Sequence, residues 1–408
     1  MGIITKDQIV ENKHVLDYKL SVPHIIKYMG SKRELLEYLG YSISEIYEGE
    51  DICDLFAGTS ILSGSLGHNV NIHSNDIQRY SAVLSKTYLG NYNWSEFNGL
   101  AEEVVAIAQL HVDNVKRLYP YLDFDYNSEL DLKEFNVIEK RQQELNCFDF
   151  KNLKHYYLFI KNYSGTYWSF EQCLWIDALR KAAEEFTETP VYNPILSSLM
   201  FAMAYNAQST GHYAQYRDAN NITTMKDITV YRKKEIVPYF KKKLNELMKW
   251  TGANEFNHTT TSLDYRECLD IIPEGMLVYA DPPYAIVHYS RFYHALETLI
   301  RYDYPEILYK GRYRTDRHQS PFCKRTEVAG AFESMFQKIK IKNSKLVLSY
   351  SNSGMISLEK ILTIIQDILG GEYEVYTKSI DYTHSTMGRL GDKSREVKEY
   401  LIVAKPLL

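Results

Sequence analysis

The sequence predicts an α/β protein with a mostly parallel sheet, and the clearest support for this fold class is one short apolar run. Residues Leu277-Val278-Tyr279-Ala280 are followed at once by Asp281-Pro282-Pro283-Tyr284. Such a run suits a strand covered on both faces, and adjacent prolines end the strand because they lack N–H donors. Ligands bind outside the carboxyl ends of the strands in open α/β sheets, so a carboxylate and a phenol ring are expected there. The alternative is an ordinary strand followed by a turn.

Two further stretches also predict a strand that ends at possible ligand-binding residues, and they support the same fold class. Residues Asp51 to Gly64 predict a strand, a turn containing Gly58, and a helix. Small residues in such a turn let a ligand approach the backbone closely, although the Walker sequence and the full G-x-G-x-x-G spacing are absent. A second apolar segment ends at Asp76, eighteen positions after Gly58. That spacing suits a carboxylate that binds the two hydroxyls of a ribose from the neighbouring strand.

Composition and charge restrict the class of protein. The chain has 408 residues, a formal net charge of −5 and five cysteines without a paired C-x-x-C spacing. We therefore expect reduced thiols and no metal site. We also expect an intracellular, cytoplasmic protein, because no apolar run could cross a bilayer and the N-terminus lacks a secretory pattern. The negative charge mildly disfavours a nucleic-acid partner, although a local basic patch suffices for one.

The first part of the chain predicts a glycine turn and then a long helical region. Lys27-Tyr28-Met29-Gly30-Ser31-Lys32 precedes leucines at helical spacing, which predicts free backbone N–H groups and basic side chains suited to an anion. An ordinary helix start is the alternative. Residues 96–190 show helical periodicity and predict a mainly helical insertion into the α/β domain. The basic residues within 226–249 suit either the solvated face of a helix beginning near Pro238 or contacts to phosphates.

The segment after Tyr284 predicts a nucleic-acid surface. Residues 285–335 interleave basic and aromatic side chains, which is what a nucleic-acid groove requires, with charges for phosphates and planes for bases. The residues singled out for DNA contact are His288, Tyr289, Arg291, Arg312, Arg314 and Arg317. A Tyr-rich structural excursion is the alternative.

The C-terminal part predicts the remainder of the sheet. Strands are expected at Lys345 to Ser351, Tyr373 to Tyr382 and Val397 to Ala404, with an amphipathic helix from Ile356 to Leu369. Two adjacent closing strands fit an otherwise parallel sheet with one antiparallel member near its edge.

The order of these stretches resembles that of the Dam-like, alpha-class DNA adenine methyltransferases, which use S-adenosylmethionine. The most specific stretch is Asp281 to Tyr284, and Lys27 to Lys32 ahead of the glycine turn strengthens the resemblance. The resemblance implies a Rossmann-like methyltransferase fold with a mostly parallel seven-stranded sheet, one antiparallel strand near the edge, and a helical insertion. The resemblance also implies five consecutive regions. The methyltransferase domain would comprise residues 1–95 with the cofactor motifs, residues 191–284 up to the catalytic motif, and residues 336–408. Residues 96–190 would be the helical insertion and a candidate DNA-recognition region, and residues 285–335 would contact DNA.

The same resemblance assigns residues to a cofactor pocket and to a target-base pocket. The cofactor pocket would be lined by Tyr28, Lys32, Asp54, Phe56, Ala57, Gly58, Thr59, Ser60, Asp76, Ile77, Asp264 and Tyr265. Asp76 would bind the ribose and Asp264 would lie beside the adenine ring. Asp281, Pro282, Pro283 and Tyr284 would hold the target base. The sequence departs from the family because its turn lacks the second glycine often found there.

The chemistry explains why these residue types are needed. The exocyclic amine of adenine is a poor nucleophile because its lone pair is delocalised into the ring. The carboxylate of Asp281 and the carbonyl of Pro282 can accept its two N–H bonds and favour a lone pair aimed at the methyl group. Tyr284 can stack on a base flipped out of the duplex. This chemistry predicts direct, metal-free transfer to adenine N6. The resemblance implies double-stranded DNA as the substrate and a restriction-modification system as the setting, and it leaves open whether a cognate restriction endonuclease is the functional partner.

The residues alone leave other methyl acceptors possible, namely cytosine N4, adenine in RNA, and a protein amide. Family members that act on cytosine more often carry Ser, and those that act on glutamine more often Asn, at the position of Asp281, so Asp favours adenine. A non-catalytic nucleic-acid-binding subunit that keeps the fold is the alternative from another class. The recognised DNA site and the oligomeric state are left undetermined by these residues.

Overall fold

A computed structural model describes residues 16–126, 129–208, 212–284, 288–352, 354–384 and 395–407 of the chain. Within these residues, no helix is both long enough and apolar enough to span a membrane.

The centre of the molecule is a seven-stranded sheet, and a separate two-stranded hairpin lies outside it. The strands in chain order are β1 (Ile52–Asp54), β2 (Ile72–Asn75), β3 (Thr259–Thr261), β4 (Leu277–Ala280), β5 (Ile307–Leu308), β6 (Tyr313–Arg314), β7 (Lys345–Ser351), β8 (Tyr373–His384) and β9 (Arg395–Pro406). The order across the sheet is β3-β2-β1-β4-β7-β9-β8, and β5 pairs with β6.

The sheet is mostly parallel with a single antiparallel strand near one edge. The pairs β3–β2, β2–β1, β1–β4 and β4–β7 are parallel, and β9 runs antiparallel between β7 and β8. This arrangement confirms the fold class predicted from the sequence. The parallel strands also place the carboxyl ends of β3, β2, β1 and β4 side by side along one edge, where a ligand site is expected.

The helices lie on both sides of the sheet. In chain order they are α1 (Leu36–Ser44), α2 (Ile61–Leu66), α3 (Arg79–Leu89), α4 (Leu100–Leu118), α5 (Leu132–Gln143), α6 (Leu158–Tyr163), α7 (Phe170–Ala183), α8 (Tyr192–Asn206), α9 (Ile222–Arg232), α10 (Ile236–Trp250), α11 (Tyr265–Ile271), α12 (Tyr289–Phe292), α13 (His294–Arg301), α14 (Val328–Ile341) and α15 (Leu358–Leu369).

The predicted helical insertion is present, and the run of helices continues past residue 190. Helices α4 to α10 follow one another from residue 100 to residue 250 with no strand of the sheet between them in the described part of the chain. The region does not stop near residue 190 because α8 and α10 pack on each other and on α7 and α4. Their buried faces, with Leu199 on α8 and Phe240 and Leu244 on α10, require one another for cover.

The basic residues near Pro238 lie on α10, where the expected apolar face is buried. Phe240, Leu244 and Leu247 are each 0% exposed. Lys243, one of the basic residues, is buried as well, and its Nζ donates to the backbone oxygen of His24 at 2.7 Å and to Glu246. The helix interpretation therefore holds for the basic residues of α10, while those at 232–234 lie at the end of α9 and in the turn before α10. A phosphate contact by the exposed lysines stays a prediction.

Each face of the sheet supplies one wall of a hydrophobic core. Along β4, Leu277 and Tyr279 join the core that α4, α7, α8 and α10 also fill. Val278 and Ala280 point to the opposite core beneath α11, α14 and α15. This alternation is the period-two pattern of a strand buried on both faces. The helical insertion and the sheet thus share one core.

Candidate active site

Four carboxylates meet at the carboxyl ends of four neighbouring strands. Asp54 ends β1, Asp76 and Asp281 directly follow β2 and β4, and Asp264 comes just after β3 as the N-cap of α11. All four line one cavity. The other predicted residues that line it are Tyr28, Lys32, Phe56, Ala57, Gly58, Thr59, Ile77, Tyr265, Pro282, Pro283, Tyr284, His288 and Tyr289. The topology therefore gathers residues that are far apart in the chain.

Two glycines let the backbone pass close to aromatic rings at the cavity. Gly58 has φ +52°, and a Cβ there would come within 3.3 Å of the Tyr28 hydroxyl oxygen. Gly30 has φ +73°, and a Cβ there would come within 3.0 Å of the Tyr289 hydroxyl oxygen. Both positions favour glycine, because the left-handed conformation strains other residues and a Cβ would lie close to a tyrosine side chain. The absence of a Cβ thus lets the tyrosine rings pack directly against these turns.

Ser60 occupies the position where the family often has a second glycine. Its φ is +57°, so a non-glycine residue adopts the left-handed conformation at the start of α2. Its hydroxyl contacts the Ser85 hydroxyl at 2.6 Å and donates to the Ser81 carbonyl at 3.2 Å. Ser60 is buried below the turn and does not line the cavity. A hydrogen-bonded serine thus replaces the glycine.

Asp76 holds the glycine turn in place. Its Oδ2 accepts a hydrogen bond from the Gly58 N–H at 2.9 Å, and its Oδ1 accepts one from the Gln78 N–H at 2.8 Å. Burial raises the pKa of Asp76 to about 6, although these two N–H donors favour the ionised form. The carboxylate therefore links the tip of β2 to the turn after β1.

Asp54 and Asp281 also resist ionisation. Burial raises the pKa of Asp54 to about 7, and the nearby charges of Asp281 and Asp76 add to this effect while the Ser63 hydroxyl opposes it. Burial raises the pKa of Asp281 to about 7 against the opposing charge of Lys32. Three clustered carboxylates would be stabilised in their ionised forms by a cationic ligand. Among the described residues, no group of three or more His, Cys, Asp or Glu side chains is placed to hold a metal ion.

Aromatic rings and one buried cation also line the site beside the carboxylates. The rings of Tyr28, Tyr289 and Tyr293 form one stacked cluster, in which the Tyr28 centroid lies 5.3 Å from that of Tyr289 and 4.6 Å from that of Tyr293. Lys32 is 5% exposed, and its Nζ lies 3.2 Å from Asp281 Oδ1 and 5.4 Å from the centroid of the Tyr284 ring. The catalytic stretch and the Lys27 to Lys32 stretch therefore form one site.

Comparison with known proteins identifies the family. The model of the D12 class N6 adenine-specific DNA methyltransferases matches residues 28–364. The chain belongs to this family. The match includes all four strand-end carboxylates, the glycine turn and Lys32.

Three curated relatives are similar to this D12-class chain. Modification methylase LlaI of Lactococcus lactis subsp. lactis is 26% identical over 389 residues, covering 92% of this chain and 54% of that protein. Type II methyltransferase M.FokI of Planomicrobium okeanokoites is 24% identical and covers 86% of this chain and 48% of that protein. Type II methyltransferase M.NlaIII of Neisseria lactamica is 24% identical and covers 92% of this chain and 98% of that protein. The chain spans about half the length of the first two relatives.

Of the six residues predicted to contact DNA, two line the cavity and four lie outside it. His288 and Tyr289 line the cavity itself. Arg291, Arg312 and Arg317 are half-buried outside it. Arg291 Nε donates to the Tyr313 hydroxyl at 3.0 Å, and Arg312 Nη2 donates to the Gln143 carbonyl at 3.2 Å. DNA contacts by these three arginines stay a prediction.

Arg314 does not suit the predicted DNA contact. It is 2% exposed, and its guanidinium makes ion pairs with Asp303 at 2.6 Å and with Asp316 at 3.1 Å. Two carboxylates already satisfy its charge, and its burial keeps it from a phosphate. Its position instead favours the structural alternative, in which Arg314 anchors the β5–β6 hairpin.

Sequence reasoning missed one charged residue beside the site. Glu399 on β9 is 0% exposed, and its Oε1 accepts a hydrogen bond from Lys32 Nζ at 2.6 Å. A signal was available, because Glu399 shares the face of β9 with Leu401 and Val403, which are both 0% exposed. A carboxylate on the buried face of an apolar strand is expected to have a partner.

Proposed function

We propose that this protein transfers a methyl group from S-adenosylmethionine to the N6 amine of an adenine flipped out of double-stranded DNA. The observation that carries the proposal is the position of Asp281, which lies at the end of β4 in the same cavity as Asp76 and the Gly58 turn. Membership of the D12 class supports adenine as the acceptor.

The residues of the cavity fit S-adenosylmethionine. Three carboxylates with raised pKa values favour a cationic ligand, and the Gly58 turn lines the same cavity as these carboxylates. Asp76 would bind the ribose, and Asp264 would lie beside the adenine of the cofactor. When bound, S-adenosylmethionine supplies a methyl group on a positively charged sulfur, which keeps the electron pair of the broken C–S bond. The residues from Tyr28 to Lys32 and from Asp54 to Thr59 would enclose it.

The residues from Asp281 to Tyr284 would prepare the acceptor amine. The Asp281 carboxylate and the Pro282 carbonyl oxygen each accept one N6–H bond, which orients the nitrogen lone pair. A carboxylate whose pKa is about 7 is also well matched to take the proton that the amine loses on forming its new N–C bond. Tyr284 provides a ring face for the flipped base.

Incubation with labelled S-adenosylmethionine and duplex DNA, followed by digestion to nucleosides, tests the proposal. Label is expected in N6-methyladenine. Label in N4-methylcytosine, transfer only to RNA, or no transfer under conditions where the cofactor binds would overturn the adenine assignment. The last of these results would instead support a non-catalytic nucleic-acid-binding subunit.

Asp281→Ala is expected to lower kcat by about 10²–10⁴-fold, because the amine loses its acceptor and base. Cofactor affinity should change little. Asp113→Ala is the matched control, since it removes an exposed aspartate of α4. Retained turnover in Asp281→Ala would remove Asp281 from the catalytic role.

The similarity to modification methylases supports a further part of the proposal, that the protein protects DNA in a restriction-modification system. A restriction endonuclease of the same specificity would then be its functional partner. A cytoplasmic location follows from the DNA substrate and stays a prediction. Methylation-aware sequencing of DNA from cells that express the protein would reveal a recognition site, and methylation without any sequence preference would contradict this part.

A further inference from the structure

Lys32 is shared between two buried carboxylates on opposite sides of the site. Its Nζ lies 2.6 Å from Glu399 Oε1 and 3.2 Å from Asp281 Oδ1. The side chains of Lys32, Asp281 and Glu399 are 6%, 18% and 1% exposed. The ammonium thus makes its shorter contact with the carboxylate that faces away from solvent, while the more exposed Asp281 faces the cavity.

Glu399 is held by its strand and by a neighbouring hydroxyl. In the register of the sheet, Glu399 on β9 pairs with Ser351 on β7, and the Ser349 hydroxyl donates to Glu399 Oε1. Glu399 Oε2 has no hydrogen-bond partner among the described residues. The antiparallel strand therefore places the Glu399 carboxyl group directly beside the Lys32 ammonium.

Stabilisation of the fold does not by itself account for the contact between Lys32 and Glu399. Buried ion pairs often contribute nothing to net stability, because removing the charges from water costs as much as their attraction returns. Two carboxylates around one ammonium leave an excess negative charge, which is costlier still. Glu399 lies on β9, one of the two closing strands of the sheet, and beyond residue 364, where the match to the family model ends.

We propose that Glu399 is a positioning residue for methyl transfer, because it draws the Lys32 ammonium away from Asp281 and leaves the Asp281 carboxylate able to accept the target amine. This inference rests on the proposed function. With Glu399 neutralised, Lys32 would pair with Asp281 alone, and that ion pair would compete with the N6–H hydrogen bonds. The charge of Glu399 also helps to raise the pKa of Asp281, in opposition to Lys32. The other titratable groups that interact with the Asp281 charge are Asp54, Tyr279 and Tyr289.

Glu399→Gln tests the inference, since glutamine keeps the shape and removes the charge. The acid limb of the kcat–pH profile is expected to move to lower pH, because the charge that raises the pKa of Asp281 is gone. The plateau kcat should fall about tenfold, the effect of one weakened charge-assisted hydrogen bond. Cofactor affinity should stay within about twofold of wild type, because Glu399 does not line the cavity.

Two variants separate positioning from a structural role. Glu399→Asp keeps the charge and should keep the acid limb close to its wild-type position, with a smaller loss of kcat. Ser349→Ala removes only the hydroxyl partner of Glu399 and should leave the acid limb in place. A Glu399→Gln protein with lowered stability but a wild-type pH profile would overturn the proposal. If Glu399→Gln does not fold, Glu399→Asp carries the test: its shorter side chain holds the carboxylate farther from Lys32, so the acid limb should move slightly to lower pH, and a shift to higher pH would overturn the proposal.

A second readout does not depend on catalysis. The carboxyl infrared band of Asp281, isolated as the difference between wild type and Asp281→Asn, reports its titration directly. A lower Asp281 pKa in Glu399→Gln is expected whether or not the protein methylates DNA, and an unchanged or higher value would overturn the inference. Failure of the proposed function would appear instead as absence of methyl transfer by the wild-type protein.

Discussion

At the scale of single residues, the site contains carboxyl groups whose ionised forms are destabilised by burial. Asp54 is 2% exposed, and burial raises its pKa as it does those of Asp76 and Asp281. Ionised carboxylates in such positions cost free energy unless a positive charge is near. A cationic cofactor would provide that charge for Asp54 and Asp76, while Lys32 already provides it for Asp281. Perturbed carboxylates gathered in a cavity are typical of a functional site.

Cofactor affinity is therefore expected to depend on pH. Asp54 and Asp76 have pKa values of about 7 and about 6, so both are ionised at pH 7.5 and largely protonated at pH 5.5. The Kd of S-adenosylmethionine should rise about ten- to a hundredfold across this interval, since protonation removes the charges that attract the sulfonium. Isothermal titration calorimetry across the interval measures this change.

The demethylated cofactor, S-adenosylhomocysteine, is the matched control ligand because its sulfur is neutral. Its affinity should depend less steeply on pH. Asp76→Asn should weaken the binding of S-adenosylmethionine at pH 7.5 and flatten its pH dependence. Equal slopes for the two ligands would show that the charges of these carboxylates do not favour the sulfonium over a neutral sulfur.

At the scale of elements, the segment between β4 and α14 carries the most unusual backbone. Tyr302, Tyr304, Tyr309 and Arg312 all have positive φ values between 44° and 61°. Left-handed residues other than glycine cost free energy and persist where the surroundings hold them. Tyr309 is also 79% exposed, between the two strands of the β5–β6 hairpin. The hairpin thus presents a largely exposed aromatic ring, which contacts the Tyr313 ring at a centroid separation of 6.4 Å.

Substitutions of the arginines around this hairpin are expected to affect either the stability of the protein or its binding of DNA. Arg314→Gln should lower the free energy of unfolding by about 1–3 kcal/mol, because it removes a buried cation from two partly exposed carboxylates. The salt dependence of DNA binding should not change. Arg312→Gln and Arg317→Gln should weaken DNA binding and reduce the slope of log K against log salt by about 0.9 for each phosphate that is no longer neutralised.

Denaturant unfolding and DNA binding at several salt concentrations measure these effects. Lys338→Gln is the control for loss of a positive charge, since Lys338 pairs with Asp270 at the end of α11 distant from the cavity. An unchanged salt slope for both Arg312→Gln and Arg317→Gln would favour a structural role for the whole segment.

At the scale of the whole molecule, the helical insertion and the sheet form a continuous core. Trp168, in the helical region, and Leu277, on β4, belong to the same buried cluster. The Trp168 side chain is 0% exposed, and its Nε1 donates to the Met203 carbonyl at 3.1 Å. A core that is shared in this way couples the stability of the insertion to that of the strands that carry the site.

Trp168→Ala is expected to lower the free energy of unfolding by about 3–5 kcal/mol, because it leaves a large cavity in this core. Hydrogen exchange should accelerate in β4 and β7 as well as in α7 and α8. Leu110→Ala is the control, since Leu110 is 71% exposed on α4 and should change the stability by less than about 0.5 kcal/mol. Acceleration confined to the helices would show that the insertion unfolds independently.

The sequence by itself determined where the strands end and what they carry there. The apolar run before Asp281, the Gly58 turn and the position of Asp76 are local patterns, and parallel strands place such ends at one edge of the sheet. The antiparallel strand near the edge followed from the two closing strands, which are β8 and β9. These features were predictable because each depends on a few consecutive residues.

Only the tertiary structure decided which charges meet. Lys32 and Glu399 are 367 positions apart, and their contact depends on β9 entering the sheet beside β7. Arg314 lies in a basic and aromatic segment that predicts DNA contacts, but its burial against Asp303 and Asp316 favours a structural role. Local patterns cannot distinguish these outcomes, because the burial and partners of a charged side chain are set by residues far away in the chain.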